Sequence, residues 1–176
     1  WGVYHASVGF GKYLRLDDTA AEASANLVTA TSATTFSAYQ DHHSTGNELI
    51  AYCFAEKTGY SKFGSYVGNG NADGPFVYTG FKPAFVLQKR SSATESWQIT
   101  DHARDANVSP NFARLVPNSN VAESTNTTWA KIEKFSNGFK IGGTDTVSNG
   151  SGSTYIYMAF AEEPLVASNG TPATAR

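Results

Sequence analysis

Gly46-Asn47-Glu48-Leu49-Ile50-Ala51-Tyr52-Cys53-Phe54-Ala55-Glu56 returns later in the chain as Gly152-Ser153-Thr154-Tyr155-Ile156-Tyr157-Met158-Ala159-Phe160-Ala161-Glu162. The Gly, the Ile and the closing Phe-Ala-Glu keep their places. Each copy leaves a polar turn, runs through about eight aromatic, branched or small side chains and stops at Glu, the composition of a strand in the middle of a sheet. A repeat of this kind governs the whole reading of a chain. Other landmarks recur in the same order: Trp1 and Trp97, Tyr13-Leu14-Arg15-Leu16 and Phe112-Ala113-Arg114-Leu115, Ala20-Ala21-Glu22 and Val121-Ala122-Glu123, Phe36 and Phe139. The offset grows from 97 − 1 = 96 at the tryptophans to 162 − 56 = 106 at the glutamates, so insertions fall in the loops between landmarks, where chains tolerate them. Two half-domains, 1–56 and 97–162, are expected to pack together with both repeated strands central.

Composition narrows the class. Charged residues are 16% of the 176, below the roughly 25% usual for soluble domains, and Ser, Thr, Asn and Gly take their place. A net charge of −2 provides no basic field for nucleic acid or an acidic membrane surface. Cys53 is the only cysteine, which excludes an internal disulfide and a cysteine-based zinc cluster; inside the repeated strand it reads as a small buried apolar side chain. No apolar run is long enough to span a bilayer.

Between the halves, Tyr60 to Val67 alternates apolar with polar residues, the period of a half-buried strand. Gly68-Asn69-Gly70-Asn71-Ala72-Asp73-Gly74 reads as a tight reversal, and Phe76 to Tyr78 and Ala84 to Lys89 complete an antiparallel meander over 60–90. Trp129 to Phe135 alternates cleanly and turns at Asn137-Gly138 into Phe139 to Ile141. Only Asp17 to Ala25 and a turn at Val121 to Glu123 have helical composition. About a dozen short strands with regular turn signals predict an all-β protein, a two-sheet antiparallel β-sandwich of jelly-roll or lectin-like type. It occupies 1–164 as one domain, followed by a tail, 165–176, that is flexible or docked to a partner.

Several residue groups invite chemistry. Glu56 and Glu162 could form a glycosidase pair, but their equivalence in the repeat points to hydrogen bonds that close the strand ends. Adjacent His42 and His43 face opposite ways on an extended chain and cannot share a metal without a turn. Asp101-His102 lacks an activated serine. Asn69, Asn71 and Asp73 before Gly74 resemble the front of a calcium loop without its later acid. Four sequons, at Asn107, Asn126, Asn149 and Asn169, suit a Ser/Thr-rich chain and matter only in a eukaryotic secretory pathway. No catalytic residue, metal site or cofactor is expected. Loop aromatics and amides that stack on and hydrogen-bond to sugars are the candidate ligand-binding residues: Tyr39, Tyr60, Tyr66, Asn69 and Asp73.

Ala-Tyr-Cys-Phe-Ala-Glu at 51–56, Gly-Tyr-Ser-Lys-Phe-Gly-Ser-Tyr at 59–66, Gly-Asn-Gly at 68–70, Asp-Gly-Pro-Phe-Val-Tyr-Thr-Gly-Phe-Lys-Pro-Ala at 73–84 and Tyr-Ile-Tyr-Met-Ala-Phe-Ala-Glu-Glu-Pro at 155–164 carry a resemblance. With Trp1, Trp97 and Asn137-Gly138-Phe139, the chain resembles an uncharacterised domain that recurs in virion and tail-fibre proteins of tailed, notably marine, bacteriophages. The tail beyond Pro164 departs from that pattern. The resemblance implies a non-enzymatic virion module, a tail-fibre or spike adhesin for host-surface glycan, with other virion proteins and further copies of itself as partners. The alternatives are a structural decoration or fibre-assembly protein and, third, a polysaccharide-degrading enzyme. No residue role comes with it.

Overall fold

A computed structural model of the chain describes residues 1–38, 48–105, 113–124 and 131–162. In chain order the elements are β1 (Gly2–Val3), β2 (Lys12–Arg15), β3 (Ala23–Ser24), β4 (Val28–Thr31), β5 (Phe36–Ala38), β6 (Ser61–Val67), β7 (Asp73–Tyr78), β8 (Pro83–Arg90), β9 (Gln98–Asp101), α1 (His102–Asp105), β10 (Lys131–Phe135), β11 (Gly138–Gly142), α2 (Thr146–Asn149) and β12 (Thr154–Ala161). The all-β expectation holds, and the strands pair antiparallel throughout.

Two sheets face each other. One runs β6-β12-β8-β9 and the other β10-β11-β7. Between them lies a core that includes Val77, Val86, Ile132, Phe139, Ile141, Tyr155, Tyr157 and Ala159. Period-two alternation sorts β12: Tyr155, Tyr157 and Ala159 enter this core, while Ile156 points to the other face. There Ile156 meets Trp97 and Leu14, with Val3, Val8, Leu16 and Leu87 around them. The small sheet β1-β2-β3 thus forms a third layer on the outer face of the four-stranded sheet. Trp97 fastens it by donating from Nε1 to the Arg15 carbonyl at 2.7 Å, and His5 Nε2 lies 3.2 Å from the Tyr157 carbonyl oxygen.

Three expectations need correction. The first copy of the repeated stretch does not form a strand: residues 48–56 have no ladder partner, and Leu49, Ile50, Tyr52, Phe54 and Cys53 are exposed. The second copy, β12, is the central strand because β6 and β8 pair with its two edges, and the described residues hold one such pair of flanking strands. Second, 60–90 is not a meander. β6 and β8 lie on either side of β12, whereas β7 crosses to the other sheet and pairs with β11. The glycine-rich loop after β6 makes that crossing possible by close approach: a Cβ on Gly68 would stand 2.4 Å from the Gly150 carbonyl oxygen, and one on Gly74 2.2 Å from that of Ile141. Third, Asp17 to Ala25 holds the short strand β3 instead of a helical turn, because Ala23 and Ser24 pair with β2. The tail 165–176 lies outside the described residues.

Candidate functional site

Three segments that are remote in sequence converge on a cleft of about 380 Å³, within the range of small-ligand sites. The connection from β8 to β9 brings Glu95 and Ser96, and β9 itself brings Gln98. The stretch 113–121 brings Arg114, Val116, Ser119 and Val121, and the start of α2 brings Asp145 and Val147. Hydrogen bonds hold these segments in place. Asn118 Oδ1 accepts from the Trp97 N–H at 2.8 Å, Glu95 Oε2 accepts from Thr146 Oγ1 at 3.3 Å, and Asp145 caps α2 by accepting from the Val147 N–H at 2.8 Å. Arg114 is buried and donates from Nη1 to Gln98 Oε1 at 2.8 Å. Burial lowers the pKa of its guanidinium from the ordinary value, and the charges of Asp145 and Glu95 oppose that shift. Carboxylates, an amide, a guanidinium and two hydroxyls therefore stand around a valine wall, a lining suited to a ligand with many hydroxyl groups and some apolar surface.

A second surface feature lies on the outer face of the four-stranded sheet. The Phe160 ring meets Phe54, Tyr60, Phe63 and Phe85 with centroid separations of 5.9 to 6.1 Å. Charge rims this aromatic group. Glu162 binds Lys82 and His102, and Glu56 accepts from Lys62 Nζ at 3.1 Å and from the Phe63 N–H at 3.2 Å. Glu162 thus closes the end of β12 as its place in the repeat suggested, whereas Glu56 ends a stretch that forms no strand and bonds to β6 instead. Asp101 accepts from the Arg104 backbone N–H at 3.0 Å and from its guanidinium.

The five candidate sugar contacts disperse. Tyr60 belongs to the aromatic group. Tyr66 is buried in the core, stacked on Tyr155 at 5.0 Å, with its hydroxyl 2.7 Å from Gln88 Oε1 and 2.8 Å from the Ser148 carbonyl oxygen. One hydroxyl hydrogen serves one acceptor; with the Gln88 amide turned so that its NH₂ donates to the phenol oxygen, Tyr66 donates to Ser148. Burial raises the Tyr66 pKa well above its ordinary value, with a smaller contribution from Tyr155. Asn69 is held by the loop itself: Nδ2 donates to the Asp73 carbonyl at 2.9 Å, and Oδ1 accepts from the Asn71 N–H at 2.9 Å. Asp73 is exposed and pairs with Lys140. Tyr39, His42 and His43 lie outside the described residues, as do the sequons at Asn107, Asn126 and Asn169; Asn149, the remaining one, is fully buried.

Asn149 links the loop of Asn69 to the cleft. Its Oδ1 accepts from the Asn69 N–H at 2.9 Å, and its Nδ2 donates to the Asn71 and Gly143 carbonyls, each at 2.7 Å. α2 therefore carries Asp145 and Val147 to the cleft while its last residue anchors the 68–74 crossing. Local pattern could not reveal the cleft, because its lining comes from three segments without a shared motif. The available signals were an Arg among apolar neighbours at Phe112-Ala113-Arg114-Leu115 and an Asp-Thr cap at Asp145-Thr146.

Among the described residues, no three His, Cys, Asp or Glu side chains gather as a metal site, and no helix is long and apolar enough to cross a membrane. No curated protein and no solved structure matches the chain. One family model does, over residues 1–164, and the chain therefore belongs to the family described as Domain of unknown function (DUF7483).

Proposed function

We propose that this domain is a non-enzymatic recognition module of a phage virion, on a tail fibre or spike, that binds host-surface glycan in the cleft between Glu95, Arg114, Ser119 and Asp145. The observation that carries the binding reading is the cleft lining, in which paired hydrogen-bonding side chains surround an apolar wall of Val116, Val121 and Val147. The non-enzymatic reading draws support from the duties of the two carboxylates there, since Asp145 caps α2 and Glu95 accepts from Thr146. The virion setting is supported by the motif strings at 51–66 and 68–84.

The test incubates the full chain with polysaccharide purified from host surfaces and follows binding together with release of reducing ends. Saturable binding without cleavage is expected, and Ser119→Trp, which fills the cleft, should weaken it about tenfold or more. Binding that Ser119→Trp leaves unchanged would remove the cleft from the account. Cleavage would overturn the non-enzymatic reading, and failure to bind any host glycan would overturn the adhesin in favour of an assembly role, which the exposed apolar strip at 49–54 favours.

A further inference from the structure

Up to the repeated stretch the two halves share an order of antiparallel pairings, yet only the second half is closed. In the second half, β9 meets Leu115 through mutual hydrogen bonds with Ile99 at 2.9 Å, and Arg114 pairs in turn with Ser124. In the first half, β1, β2 and β3 repeat that antiparallel order. The hairpins agree next to their turns. Thr31 faces Phe36 and Ala30 faces Ser37 in β4–β5, and Lys134 faces Phe139 and Glu133 faces Lys140 in β10–β11, a displacement of 134 − 31 = 103 at these four positions; beyond them a bulge between Val28 and Ala30 sets Val28 opposite Ala38, a pairing without a counterpart in β10–β11. After the hairpin comes the repeated stretch, with Leu49, Cys53 and Phe54 in the places of Tyr155, Ala159 and Phe160.

What differs is the cover. In the second half β6 and β8 flank β12, and β7 pairs with β11. Tyr155, Ala159 and Phe139 are then 0% exposed and Ile156 2%. Among the described residues, their first-half counterparts have no such strands: Leu49 is 59% exposed, Ile50 72% and Phe36 45%, and Cys53 is exposed. Tyr52 and Phe54 are exposed as well, at 70% and 58%, so the stretch presents apolar surface of the kind that marks an interaction site. Both facing sheets are built within 57–162, which begins directly after the first Phe-Ala-Glu and ends with the second.

We infer that residues 1–56 are the second half of another unit of this fold, and that a segment of the β6–β7–β8 type completes it. In the second half the corresponding segment, 57–96, stands directly before Trp97. The completing segment contributes one strand to each edge of 48–55 and a third strand to β5, turning 48–55 into a central strand like β12. The small sheet β1-β2-β3 is then the joint between successive units, since its Leu14, Val3 and Leu16 already cover Ile156 of the following unit.

Cys53 reports directly on this completion, because its counterpart Ala159 is fully enclosed. The experiment compares the full chain with a fusion that places a second copy of 57–96 directly before Trp1, and measures the labelling rate of Cys53 by a thiol reagent. The full chain should label at the rate of an open thiol, and the fusion should label about a hundredfold or more slowly, as expected of a group reached only through opening of a folded unit. A fusion whose added segment carries aspartate at the position of Val86 should lose that protection. Equal labelling of fusion and full chain would overturn the inference. So would protection in the unfused chain that grows with protein concentration, which would make a second copy the occupant.

Discussion

Replacing Asn149 by Ala tests how the crossing loop, α2 and the cleft are held together. The side chain is fully buried and satisfies the Asn69 N–H and the carbonyls of Asn71 and Gly143. Truncation to Ala removes these three part-buried hydrogen bonds and leaves a gap beside the close approaches at Gly68 and Gly74. With ~1 kcal/mol net for each lost bond and a further 1–3 kcal/mol for a stranded buried partner, the cost is roughly 3–5 kcal/mol. That is a large part of the ~5–15 kcal/mol by which a domain is stable. It lowers Tm by about 6–20 °C for a chain of this size. The assay is urea unfolding followed by tryptophan fluorescence and far-UV circular dichroism, with Asn149→Asp as companion, since aspartate keeps the acceptor for Asn69 but loses both donors and adds a buried charge. Both variants should fall well below the wild-type midpoint. A loss under about 1 kcal/mol for Asn149→Ala would refute the reasoning, because the three bonds would then be replaceable by water.

Phe139→Ala should destabilise by about 3–5 kcal/mol, the range for deleting a fully enclosed ring, while Phe36→Ala at the equivalent exposed position should stay within ~1 kcal/mol; denaturation midpoints of the two variants compare them. Burial of Lys89 lowers its pKa from 10.5 to about 8. Between those values the unfolded chain binds the proton that the folded chain releases, so unfolding free energy rises with pH across that window. Tyr66, Tyr155 and Tyr157, whose phenols burial pushes up, work in the opposite direction from about pH 10. A rise between pH 8 and 10 that is absent from Lys89→Met, read from urea titrations at each pH, is the expected result; parallel curves would contradict it.

Period-two alternation and turn chemistry made most strands legible. Ser61 to Val67, Lys131 to Phe135 and the Asn137-Gly138 reversal were readable because side chains on a half-buried sheet alternate and such turns need small or amide residues. The pairing of those strands was not readable. β6, β7 and β8 follow one another closely, which favours a meander on local grounds, but β12, far away in sequence, takes the place between β6 and β8. Composition likewise gave Leu49 to Ala55 the look of a central strand, and the structure denies it that position for want of neighbouring strands. The candidate ligand residues were chosen by type, and type does not distinguish Tyr66, enclosed between Tyr155 and Gln88, from an exposed ring such as Tyr60. The cleft was hidden for a related reason, since Glu95, Arg114 and Asp145 meet only after three segments have folded.

The central claim is that two copies of one stretch have opposite fates in this chain, β12 enclosed between β6 and β8 and 48–55 left open. Amide hydrogen exchange resolved over these two segments tests it most directly. The account predicts that 154–161 exchange only through unfolding of the sandwich, with protection approaching the global stability, while 48–55 exchange close to the rate of an unstructured peptide. Comparable strong protection in both would contradict it, placing the first copy in a sheet of its own.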